Sequence, residues 1–154
     1  MKSLNQYINE KLKVSKNQNQ YNYCPETNEE LVDLVDQLLK ERGWEADLND
    51  IDVSNITDMS SLFYYYTDFN GDISKWDVSN VTSMEGIFYW CKKFEGKGLE
   101  NWNVSNVTNM NDMFWGCKKL DCNLSKWDVS DLYRHLDMFE GCPIKDEYKP
   151  KFKK

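Results

Sequence analysis

The sequence predicts an α/β repeat solenoid of about four 25-residue coils with an N-terminal capping helix. Three observations predict it. A long stretch repeats at a fixed period, its repeated columns are apolar, and an amphipathic helix signature precedes it. A period of about 20–50 residues marks stacked architectures, because one such unit cannot bury its own apolar face.

The chain has 154 residues, a net charge of −7 and 14% aromatic residues. That length allows one domain with short appendages. The acidic balance argues against a nucleic-acid partner, which needs a positive footprint. No apolar run reaches the roughly 20 residues of a membrane span. The aromatic content argues against disorder.

Residues 1–22 read as a leader helix and a polar linker. Leu4, Tyr7, Ile8 and Leu12 fall on one helical face, with no continuous apolar core of the secretory kind. A cytoplasmic location follows as the expectation. Residues 23–46 hold the capping helix. Thr27 and Glu30 form a capping box, Leu31, Leu34, Val35, Leu38 and Leu39 form one stripe, and Gly43 ends it. The helix is expected over Asn28–Arg42, with its apolar face on the first coil.

Residues 47–144 hold the repeat. In register, the units are residues 52–76, 77–102 and 103–127, with a decayed fourth from Asp128. Each opens as Asp52-Val53-Ser54-Asn55 does. A Met column follows (Met59, Met84, Met110), then a Phe column (Phe63, Phe88, Phe114, Phe139), and complete units close on Trp76, Trp102 and Trp127. Stacking turns each column into a ladder. Short strands are expected near 75–78, 101–104 and 126–129. A short helix or 3₁₀ turn is expected from Met84 to Phe88. The repeated Asn residues are expected to bond the backbone of adjacent coils.

Five cysteines and one histidine are present. Cys91, Cys117 and Cys142 share a column and read as small buried corner residues. Their number and spacing suit neither a disulfide framework nor a zinc site, and reduced thiols are expected. Neither a metal nor another cofactor is expected. Cys24 and Cys122 lie outside the column. His135 stands where the Met column decays, and reads as a cap residue on the outer face. With no phosphate loop, no HExxH and a single His, the sequence gives catalysis little support, and a non-enzyme is expected. Residues 145–154 form a basic tail, expected to be a solvated end that could touch phosphate or an acidic surface.

Aromatics crowd the positions after the Phe column: Tyr64, Tyr65 and Tyr66, then Tyr89 and Trp90, then Trp115. If the Phe column points inward, some of these point outward. Tyr64, Tyr65, Tyr89, Trp90 and Trp115 are therefore the candidate interaction surface for a protein partner, because Tyr and Trp dominate interface hot spots. Carbohydrate is a further option. Alternatively they pack on neighbouring coils and on the stems of Lys92, Lys93, Lys118 and Lys119. A monomer with no membrane partner is expected.

The unit from Phe69-Asn70-Gly71-Asp72-Ile73-Ser74-Lys75-Trp76 through Met84, Ile87-Phe88 and Cys91 closely resembles the BspA-like leucine-rich-repeat surface proteins. The same unit defines a mycoplasma-type 25-residue lipoprotein repeat. The resemblance covers about residues 47–142. It implies a leucine-rich-repeat-like, right-handed solenoid, and adhesion or protein binding in the long secreted members. The first ten residues resemble the capsid-targeting leaders of internal head proteins in tailed phages. That likeness implies cleavage after Ile8-Asn9-Glu10 and, as the alternative function, a cargo protein inside a phage virion.

Overall fold

A computed structural model describes Ser3, Gln6, Glu10 and residues 21–153. Helix α1 spans Asn28–Arg42, the bounds that the capping box and stripe predict. The Thr27 hydroxyl accepts from the Glu30 N–H, and the Gly43 N–H donates to the Leu39 carbonyl. Leu31, Leu34, Val35, Leu38 and Leu39 are buried. The Asn28 side-chain amide donates to the carbonyls of Asp58 and Ser60, so the helix closes one end of the repeat region. At the helix's other end, Arg42 makes a bidentate pair with Asp50, 2.9 Å on each arm.

Successive units contact in parallel at an offset of one repeat. Bridges join Asp58 to Ser83, Ser83 to Asn109 and Asn109 to Arg134. Upstream, Asp47 bridges to Asp72, and Tyr23 to Ile51. These bridges are isolated. Over residues 21–153 the chain forms one α-helix, two short 3₁₀ turns (Leu99–Asn101 and Asp146–Tyr148), no strand and no sheet. The expected α/β leucine-rich-repeat-like, right-handed solenoid is therefore not the fold. It is a capped stack of turns.

The reason lies in the turn chemistry. Asp72 and Asp77 stand five residues apart, and each accepts a main-chain bond two residues on, from Ser74 (3.0 Å) and Ser79 (3.1 Å). Such Asx turns bend the chain at 74–75 and again at 79–80, which leaves only residues 76–78 between them where a strand was expected. The Ser74 and Ser79 hydroxyls donate to the same carboxyls and, with those main-chain bonds, hold both below the usual carboxylate range, Asp72 at about 2, where the Asn49 amide assists.

In residues 59–66 two patterns alternate. The N–H groups of Met59, Ser61, Phe63 and Tyr65 donate across to the carbonyls of Ser83, Glu85, Ile87 and Tyr89, each at 2.9 Å. Those of Leu62, Tyr64 and Tyr66 donate back to Met59, Ser61 and Phe63. Positive φ at Ser61 (59°) and Tyr65 (62°) interrupts any helix. The Met84–Phe88 stretch repeats this pattern, so a run of turns replaces the expected helix.

Side-chain ladders fill the interior. Phe63, Phe88, Phe114 and Phe139 stack with centroids 5.5, 5.6 and 5.6 Å apart and planes within 10°. The indole N–H groups of Trp76, Trp102 and Trp127 donate to the carbonyls of Leu48, Ile73 and Leu99. Asn80 and Asn106 donate to the carbonyls of Ser54 and Ser79, the expected asparagine ladder. The Cys91 and Cys117 thiols donate to Phe63 and Phe88 carbonyls at 3.0 Å. Burial pushes both thiols up, and Cys122 to about 12. All five cysteines are free.

The tail differs from its solvated expectation. Pro150 is buried, the Tyr148 carbonyl accepts from Leu124 at 2.8 Å, and Phe152 stacks on His135 at 4.2 Å. Residues 148–152 thus cover part of the last unit.

Candidate aromatic interaction surface

The Phe column points inward, which aims the residues beside it outward. Tyr64 and Tyr65 are exposed, while Tyr89, Trp90 and Trp115 are half-buried against one another. Tyr64 stacks on Tyr89 at 4.7 Å, Tyr89 on Trp115 at 5.0 Å, and Trp90 on Trp115 at 4.8 Å. Tyr65 lies 4.9 Å from Tyr64, 5.5 Å from Tyr89 and 6.3 Å from Trp90. The five sequence-predicted residues form one contiguous strip. Tyr66 does not join it. Its ring is half-buried, its hydroxyl donates to Asp36, and burial together with that carboxylate pushes it up to about 12.

The lysine stems contribute little. Lys92 alone lies over the strip, 4.9 Å from the Trp90 ring. Lys93 pairs with Asp68, and Lys118 donates to the Gly141 carbonyl. Acids border the strip instead. Asp112 is held above the usual carboxylate range by burial and by the charges of Asp137 and Glu85.

The backbone under the strip is strained. Tyr65 and Trp90 share a column with Gly116 and Gly141, and all four have positive φ: 62°, 61°, 73° and 68°. Glycine adopts that conformation freely, whereas a side chain with a Cβ costs about 1–2 kcal/mol there. Two of the four units therefore carry a bulky aromatic where the backbone favours glycine. Strain of this kind gathers at functional positions. Gly116 has a second role: a Cβ there would come within 2.2 Å of the Trp90 ring, so its bare backbone lets the indole lie flat across it.

Sequence reasoning missed three exposed apolar residues. Trp44, just after α1, packs edge-on against Tyr66. Tyr133 and Leu136 of the last unit are 80% and 70% exposed. They stand in columns that are polar elsewhere: Thr57, Thr82 and Thr108 for Tyr133, and Ser60, Glu85 and Asn111 for Leu136. With Asn111, Arg134, His135 and Asp137 they line a hollow of ≈ 550 Å³. His135 is exposed, as a cap residue should be. Of the candidate cleavage residues, Glu10 is exposed, while Ile8 and Asn9 lie outside the described residues. Among the described residues, no three His, Cys, Asp or Glu side chains are placed to hold a metal ion, and no helix is long and apolar enough to cross a membrane.

No curated protein and no solved structure matches the chain. One family model does, over residues 32–150, a span that takes in most of α1, the whole repeat region and the start of the tail. The chain belongs to that family, described as "Mycoplasma protein of unknown function, DUF285".

Proposed function

We propose that the protein is a non-enzymatic protein-binding module, and that the strip Tyr64, Tyr65, Tyr89, Trp90 and Trp115 is its binding face. The observation that carries this reading is the pair of aromatic side chains held at positive φ, on the surface, in a column that is glycine in the later units. A position kept at a cost to stability and left on the surface has its use outside the fold. Stacked Tyr and Trp offer large rigid contact area at little entropic cost. Protein fits the strip better than carbohydrate. Rings within 12° of parallel stack face on face along the strip, whereas sugars need free ring faces. The resemblance to the BspA-like surface proteins supports the same class of activity.

The test is a triple variant, Tyr65→Ala, Trp90→Ala and Trp115→Ala. It should fold and lose capture of the partner that the wild-type chain retains, by at least 30-fold in affinity, since central aromatics are worth about 2 kcal/mol or more each. Undiminished capture by the folded variant would overturn the reading.

A further inference from the structure

The ladder between units is polarised. In four alternate columns the donors belong to the earlier unit and the acceptors to the later one: Met59, Ser61, Phe63 and Tyr65 to the second unit, Met84, Gly86, Phe88 and Trp90 to the third, Met110, Asp112, Phe114 and Gly116 to the fourth; in the Thr column just before them the direction reverses, and the Thr57, Thr82 and Thr108 carbonyls accept from Thr82, Thr108 and Tyr133. In the last unit the same columns are His135, Asp137, Phe139 and Gly141. Their N–H groups meet no acceptor among the described residues. The described part of the tail, residues 145–153, covers the rings of this unit, with Phe152 on His135 and Lys149 near Phe139, but gives the edge no hydrogen bond. At the opposite end the Asp58 and Ser60 carbonyls are already taken by Asn28 of α1, which works against head-to-tail addition of a second copy.

From His135 to Gly141 the open edge thus offers donors alone, while the Tyr133 carbonyl just before it stands in the accepting column. An ordinary strand brings N–H groups that would face donors without acceptors. Proline-rich backbone is different. It has carbonyls free on all sides, few or no N–H groups, and a preformed polyproline-II shape that docks on aromatic surfaces. Aromatic surface lies at both ends of the edge. Exposed Tyr133 and Leu136 begin the run, and it ends at Gly141, whose neighbour Glu140 continues the column of Trp115 and accepts from the Gly116 N–H. Asp112, Asp137 and Glu85 lie close enough to act on one another and favour basic residues at the Tyr133 end, while Lys118 occupies the Gly141 carbonyl at the other.

We propose that this donor edge, with Tyr133 and Leu136 at its start and Trp115 of the strip one unit behind its finish, binds a proline-rich segment of a protein partner flanked by basic residues. This rests on the strip being a protein-binding face, and names the partner's chemistry.

Amide exchange measured by NMR on the full chain tests it, with a ten-proline peptide ending in two arginines as the probe. The amides of Asp137, Phe139 and Gly141 should exchange at least ten-fold more slowly with the peptide present. A matched peptide with alanine at every second proline should protect them far less. Equal protection by both peptides overturns the acceptor-only argument. Unchanged exchange overturns the proposal, while the strip reading is judged separately by capture with the triple alanine variant. Slowing that needs no peptide and grows with protein concentration assigns the edge to a second copy of the chain, and also overturns it.

Discussion

Phe88→Ala is expected to lower the free energy of unfolding by about 3–5 kcal/mol, the range for emptying a large buried site. The Phe88 ring is fully buried in mid-stack, 5.5 Å from Phe63, 5.6 Å from Phe114, 4.3 Å from Phe94 and 6.2 Å from Trp102. Removing it opens a gap between layers whose spacing the backbone fixes. The Phe88 N–H is bonded to Met113 and the neighbouring Ile87 carbonyl to Phe63, so the walls cannot close in. Phe139→Ala, at the partly open end of the same column, should cost clearly less. Denaturant unfolding of both variants checks this. Equal losses would mean that the column does not act as a stacked core.

Gly116→Ala is expected to damage fold and surface together. The backbone there has φ +73°, and the new Cβ would sit 2.2 Å from the Trp90 Cε3 atom. Neither strain nor overlap can be relieved without moving the indole, and a loss of about 1–3 kcal/mol follows. Trp90 would also leave its stack on Trp115, so partner affinity should fall. Gly86→Ala is the control. It shares the positive φ (+58°), but its Cβ would meet Tyr64 at an ordinary 3.6 Å. It should lose about 1 kcal/mol from strain alone and leave the Trp90–Trp115 stack in place. Unfolding curves and near-ultraviolet circular dichroism of the two variants separate the effects. Identical signatures would refute the assigned role of Gly116.

Much of this was legible in the sequence, for definite reasons. Helix α1 follows from Thr27, Glu30 and one apolar stripe, all local signals. The Phe, Trp and Cys ladders follow from the period, since identical residues at one offset stack on each other. The strands were misjudged because alternation at Ile73, Trp76 and Val78 suggests extension, while Asp72 and Asp77 bond their own chain two residues on. Side-chain bonds of that range decide between strand and turn, and alternation does not show them. The strip was visible as aromatics beside an inward Phe. Its strain went unread, although the sequence carries the signal: Gly116 and Gly141 share the column of Tyr65 and Trp90, and repeated glycine marks a positive φ. The open edge was not legible. It depends on which way the peptide groups face, and no residue type reports that. Nor was the packed tail, whose charge suggested solvent although Pro150 and Phe152 find apolar cover.

The central claim is that the strip is where a partner lands. Hydroxyl-radical footprinting of the chain, alone and with the captured partner, tests it most directly. Free protein should be modified at Tyr64, Tyr65, Trp90 and Trp115, with the carbonyl-bonded, buried Trp76, Trp102 and Trp127 spared. In the complex the strip should become protected while Trp44, whose ring contact is with Tyr66 outside the strip, stays reactive. A strip modified equally in both states, with protection elsewhere on the chain, would contradict the account.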